Sequence, residues 1–187
     1  MKSFKAMPKN ILLIPLTLTL LTVSGAALAV NSNHVQVIVN GTVGSSSCSV
    51  VGGPSMTVDL GVATPSILNS SNSAWVWKQF SIGLENCPMG MSKATITFTG
   101  QPDPNNPLYY KNTAVATEGV SVADNVAIQL APQVGEKYLS TGTQMTTGVN
   151  STTHQAQFDV QARMITPMGG ATTGKVAGHI EYSVEYQ

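Results

Sequence analysis

GKVAGHIEYSVEYQ, residues Gly174–Gln187, decides the fold. From Val176 onward every second residue is apolar or small: Val176, Gly178, Ile180, Tyr182, Val184 and Tyr186. A period of two is the mark of a β-strand with one buried face. No turn and no partner strand follows it, so this strand is expected to find a neighbour that the chain downstream does not supply.

The same alternation recurs upstream with turn residues between the runs. Val35–Val43 alternates, as do Met56, Val58 and Leu60 ahead of Gly61, and Phe80, Ile82 and Leu84 leading into Cys87. Ala94, Ile96 and Phe98 alternate before Gly100, Val126, Ile128 and Leu130 before Pro132, and Ala156, Phe158, Val160 and Ala162 before the turn at Pro167–Gly170. With the last run these make seven short strands separated by Gly, Pro and Asn, which predicts an all-β sandwich. No helix-period run and no internal repeat appears after residue 30. Gln101–Asn106 (QPDPNN) reads as a loop, and Ala114–Asn125 as a long connection with little regular structure.

The first residues have a different purpose. Lys2, Lys5 and Lys9 precede an apolar stretch, Ile11–Val23, and Ala27-Leu28-Ala29 is a small-x-small cleavage signal. Residues 1–29 are therefore expected to be a signal peptide, with the mature chain starting at Val30; the short apolar stretch and Pro15 argue against a membrane anchor. No later apolar run is long enough to span a bilayer, so no membrane insertion is expected after cleavage. Residues 30–187 suit a single domain and carry six Lys+Arg against nine Asp+Glu. There is no basic patch, which leaves nucleic acid without a binding surface. Only 10% of the residues are charged, a composition suited to a sheet protein.

Cys48 and Cys87 are the only cysteines. In an exported chain an even pair is expected to form a disulfide, and closing a loop of this span stabilises the fold by roughly 4 kcal/mol. Without nearby histidines the two do not make a closed zinc set, and no cofactor is expected. His34, His154 and His179 are scattered, no G-x-S-x-G elbow is present, and Gly52-Gly53 has no G-K-S/T after it. No residue set supports an enzyme. Asn40-Gly41-Thr42, Asn69-Ser70-Ser71 and Asn150-Ser151-Thr152 match the glycosylation sequon, as chance predicts in a chain so rich in Asn, Ser and Thr. Trp75 and Trp77 fall on one face of a predicted strand; such a pair suits core or sheet-edge packing and, as the alternative, a sugar platform.

The two ends belong together. Val35, Val37, Val39, Gly41 and Val43 share one face and lie ahead of the first cysteine, as a detachable apolar strand. Gly41 interrupts the valines where a side chain would not fit a shallow pocket or a tight crossing.

At this point the chain resembles the subunits of chaperone–usher pili, and most closely a minor tip-fibrillum (adapter) subunit of type 1 fimbriae. The resemblance is carried by VNG at Val39–Gly41 with Cys48 seven residues beyond, TVDLG at Thr57–Gly61, and W-x6-L-x2-C-P from Trp77 to Pro88. It is carried also by YYKN at Tyr109–Asn112, NVAIQL at Asn125–Leu130, QARM at Gln161–Met164, the glycine at 174 and the next-to-last tyrosine, Tyr186. It covers roughly Val35–Gln187.

The resemblance implies an immunoglobulin-like sandwich lacking its last strand, made of an N-terminal donor-strand extension (30–43) and a pilin domain (44–187). Val35, Val37, Val39, Gly41 and Val43 would enter a neighbouring subunit. Gly174, Val176, Ile180, Tyr182, Val184 and Tyr186 would edge this subunit's own groove, and basic side chains of a chaperone would hold the carboxylate of Gln187. The implied partners are a periplasmic pilus chaperone, an outer-membrane usher and neighbouring pilus subunits, in a cell-surface fimbrium that supports adhesion. Strand addition of this kind is established for chaperone–pilin pairs. The alternatives are a major rod pilin of the same family and a carbohydrate-binding adhesin using Trp75 and Trp77. The length speaks against the adhesin, since it leaves no room for a preceding lectin domain.

Overall fold

The structure is a computed structural model and describes residues 47–135 and 137–187. The predicted strand Val35–Val43, with the signal peptide and the donor extension, lies outside the described residues. Eight strands are present: β1 Ser49–Val50, β2 Lys78–Glu85, β3 Lys93–Gly100, β4 Tyr110–Lys111, β5 Ala127–Pro132, β6 Gln144–Gly148, β7 Ala156–Ile165 and β8 Ile180–Tyr186. They form two antiparallel sheets, one in the order β1-β2-β7-β5-β4 and the other β6-β3-β8. No helix occurs among the described residues.

The strands form where large apolar residues alternate with polar ones. On β3, Ala94, Ile96 and Phe98 point inward and are at most 2% exposed, while threonines take the alternate positions. Thr95 meets Thr146 of β6 at 2.8 Å, a cross-strand hydroxyl pair on the outer face. On β7, Phe158 and Val160 are fully buried beside Ile82 and Leu84 of β2 and Leu130 of β5 in the same sheet, and Ala94, Ile96 and Phe98 of β3 belong to the opposite one. β7 lies between β2 and β5, with Phe158 opposite Ile82 and Ala162 opposite Leu130. Each fully buried side chain of this size contributes about 1.5–3 kcal/mol, so the pairing of the two inner faces carries the sandwich.

Two further devices fix the core. Cys48 and Cys87 form a disulfide that spans 39 residues and ties the start of β1 to the residues just after β2. Both cysteines are buried in the main core. Tyr110 is buried too, and its hydroxyl donates to the Leu139 carbonyl at 2.8 Å, pinning a loop over the end of the core.

Four points differ from the sequence expectations. Met56–Leu60 is not a strand, and neither is the segment of Trp75 and Trp77, where only Ala74 makes an isolated bridge, to Ile165. β6 (QMTTG) was not foreseen, because among its residues only Met145 is a large apolar group. The last strand is shorter than its alternation: the ladder starts at Ile180, with Val176 and Gly178 ahead of it.

Replacing both cysteines by serine is expected to cost about 4 kcal/mol, read as a fall in the urea midpoint with a steeper slope, because the uncrosslinked chain unfolds to a more expanded state. Burial pushes the Tyr110 hydroxyl up to about 12 from 10.0, with a hydrogen bond from Thr141 opposing. Because the unfolded chain gives up this proton first, the tyrosine's contribution to stability is complete below pH 10 and is lost as the pH rises toward 12. Urea midpoints measured across that range should fall, and Tyr110→Phe should flatten this alkaline fall.

A groove along the open edge of β8

β8 has β3 on one side and, among the described residues, no strand on the other. Its register against β3 sets Tyr186 opposite Ala94, Val184 opposite Ile96, Tyr182 opposite Phe98 and Ile180 opposite Gly100. The inward residues of β3 are almost fully buried, whereas Ile180, Tyr182, Val184 and Tyr186 are only half-buried. The alternation is intact and its burial incomplete, so the inner face of β8 lacks half of its cover.

The opposite wall is the segment Met56–Ala63. Val58 and Leu60 are half-buried between exposed Thr57, Asp59 and Gly61, the pattern of a strand, which ends at the exposed Val62. Yet residues 56–63 make no backbone–backbone hydrogen bond to another described residue. Their one local tie is the Asp59 carboxylate accepting from the Gly61 N–H at 2.8 Å. Alternating burial without a ladder marks a segment with strand chemistry and no strand beside it.

Between the walls runs a groove of about 950 Å³. Its floor is the core itself: Ile82, Phe98 and Leu130 line it, with Phe80 and Met164 beside them. Most of the lining is apolar, and the groove opens to solvent. Burial raises the Tyr182 hydroxyl's pKa, with Tyr186 adding to the effect, so at neutral pH the phenol stays uncharged beside the apolar floor.

The approach to β8 is held by close contacts that the alternation did not reveal. A Cβ on Gly174 would lie 2.4 Å from backbone atoms of Val122 and Ala123, so this crossing admits only glycine. Lys175 N–H donates to Ser121 and Ala123 N–H to Lys175, a parallel bridge beside the groove. Gly178 holds the place in the alternating series where a Cβ would meet the Ile128 side chain at 2.8 Å. Asn112 stitches the approach on both edges: its amide donates to the carbonyls of Ala123 and Lys175, and its side-chain oxygen accepts from Ala114 and Ala177 N–H. The one signal for Asn112 was its place in YYKN. At the far end the Gln187 carbonyl accepts from the N–H groups of Ser92 and Lys93, at 2.7 and 3.0 Å.

The two tryptophans part company. Trp75 packs against the small cluster of Leu68 and Met164, and its backbone N–H donates to the Met164 carbonyl. Trp77 lies under the Arg163 guanidinium, 4.1 Å from it, and Arg163 Nε donates to the buried Gln129 at 2.6 Å. A cation over its face and the separate setting of Trp75 deny the pair a common sugar platform. The groove brings Gly174, Val176, Ile180 and Tyr182 together with the 56–63 segment, whereas Val184 and Tyr186 continue β8 beyond its lining, Gln187 follows it, and Cys48 and Cys87 lie apart in the disulfide.

An all-β domain of two packed sheets, with an apolar groove opening onto its core, has the architecture of a pilin. Residues 37–187 match the family model described as Fimbrial protein. Protein FimG of Escherichia coli (strain K12) is 32% identical over 161 residues, covering 86% of this chain and 90% of FimG. The chain belongs to the fimbrial protein family. Solved structures share its fold: a subunit of a chaperone–usher pilus (TM-score 0.60, 16% identity, 86% of this chain and 100% of that one) and the P pilus rod subunit PapA (TM-score 0.58, 15% identity, 75% and 99%).

A free chain with this groove should bind a hydrophobic dye such as ANS and release it when an extended peptide fills the groove. Gly174→Ala, whose Cβ would meet backbone atoms of Val122 and Ala123, is expected to cost at least about 1–3 kcal/mol, measured as a lower urea midpoint.

Proposed function

We propose that this chain is a structural, non-enzymatic subunit of a chaperone–usher fimbria that polymerises by donor-strand complementation, as a minor tip or adapter subunit. The observation that carries the reading is the groove: an open strand edge, an apolar floor continuous with the core, and a facing segment, 56–63, with strand alternation but no ladder. A strand laid between β8 and that segment would supply ladder partners to both and cover Ile82, Phe98 and Leu130. The same strand would finish the sandwich, so binding energy and folding energy become one quantity. Slow unfolding of the completed domain would then keep the fibre together.

In this reading residues 30–43 form the donor extension and 44–187 the pilin domain. Val35, Val37, Val39, Gly41 and Val43 enter the next subunit's groove. Gly174, Val176, Ile180, Tyr182, Val184 and Tyr186 edge this chain's own groove, which a periplasmic chaperone fills first and a neighbouring subunit fills after transfer at the outer-membrane usher. Gln187 is the residue the chaperone's basic side chains would reach. The route runs through the periplasm to the cell surface, where the fibre supports adhesion. The placement near the tip rests on the resemblance to type 1 adapter subunits and the similarity to FimG.

Val37→Asp is expected to leave chaperone-bound chain in the periplasm while abolishing its docking into the next subunit. Pull-down of the periplasmic chain should yield an equimolar complex with an immunoglobulin-like chaperone. Recovery of the periplasmic chain with no chaperone bound, or normal assembly of the Asp variant, would overturn the reading. Subunit order in isolated fibres separates a tip or adapter position from the rod.

A further inference from the structure

Away from the groove, a second and smaller cavity of about 420 Å³ is bounded by two loops at the disulfide end of the domain. Its residues include Met89, Met91 and His154, with Gly90, Ser92 and Ser151 between them. We propose that Met89, Met91 and His154 form a binding site for a soft monovalent cation, Cu(I) or Ag(I).

The two loops are anchored at one point. The Pro88–Met91 turn begins directly after Cys87, and Gly90 takes the left-handed conformation (φ 92°) with open space around it. The Cys87 N–H donates to the His154 carbonyl at 3.0 Å, so the histidine's backbone is tied to the residue next to the methionine turn. His154 is itself left-handed (φ 55°), and its N–H donates to Asn150 at 2.8 Å. Asn150 in turn accepts, through its side chain, from the N–H groups of Thr152 and Thr153. A histidine held in that conformation inside a bonded loop presents its ring from a fixed backbone.

The donors are chemically alike. Two thioethers one residue apart and one imidazole make a soft set, and the cavity contains no carboxylate that would favour a hard ion. Met91 is half-buried, with its sulfur 4.0 Å from the Cys48 sulfur. Met89 is 89% exposed, which leaves its thioether open to a cation from solvent. Both cysteines are engaged in the disulfide, so no thiolate competes for the metal. The step is a simple association in which sulfur and nitrogen lone pairs replace water on the cation, with no change of oxidation state.

Silver nitrate is the probe, because Ag(I) is stable in aerated water, whereas free Cu(I) oxidises or disproportionates there. The full chain, labelled with 13C at the methionine methyl groups, is titrated in chloride-free buffer. One equivalent of silver should shift the methyl signals of Met89 and Met91 and leave those of Met56 and Met168, which are also exposed, in place. Met89→Leu, at a position too exposed to matter for folding, and His154→Gln should each weaken silver binding by on the order of tenfold or more. Equal shifts at all exposed methionines, or unchanged affinity in both variants, would overturn the site.

Discussion

The structure depends on one constraint: a β-strand with an apolar inner face and an unpaired backbone edge has to be covered. β8 meets half of that requirement through β3. Its inner residues then stop at half burial, and the core floor formed by Ile82, Phe98 and Leu130 opens into a groove instead of closing. The consequences spread to the far wall, where Val58 and Leu60 are half-buried while their backbone groups join no ladder among the described residues. One vacancy thus accounts for two irregularities in different parts of the chain.

Around that vacancy the domain is stiff. β7 is paired on both sides, the disulfide closes the start of β1 onto the loop after β2, and Asn112 makes four hydrogen bonds that fix the approach to β8. Stiffness of this kind preserves the groove: walls free to move would collapse onto the apolar floor, since nothing but hydration keeps such surfaces apart. Gly174 and Gly178 do related work, letting backbone pass where a side chain would push Val122 or Ile128 aside.

The long strands could be read from the sequence because their inward residues are large and strictly alternate, as in Ala94-Ile96-Phe98 and Phe158-Val160. β6 could not, since Gln, Thr and Gly carry almost no hydrophobic signal and the strand exists because β3 offers it an edge. Met56–Leu60 failed in the opposite sense: the alternation is real, but a ladder takes two strands and the sequence pattern reports only one. Of the site, the β8 wall was legible through its period of two. The opposing wall's open state and the Asn112 stitch were not, because hydrogen bonds made by a single loop residue leave no periodic trace. The tryptophan pair was legible as packing residues but not as separate ones; Arg163 and Met164, adjacent on β7, draw them to different places.

The Cys48–Cys87 link has a mechanical meaning as well. In the fibre proposed above, tension reaches each domain through the segment preceding Cys48. At that residue the covalent path divides: one branch runs on through β1, and the other crosses the sulfur bridge directly to the residues after β2. Residues 49–86 therefore lie inside a closed covalent ring and need not be stretched out for the load to pass. A chain pulled hard enough to shed β1 could lengthen only by what lies outside that ring, which makes the bridge a limiter of extension.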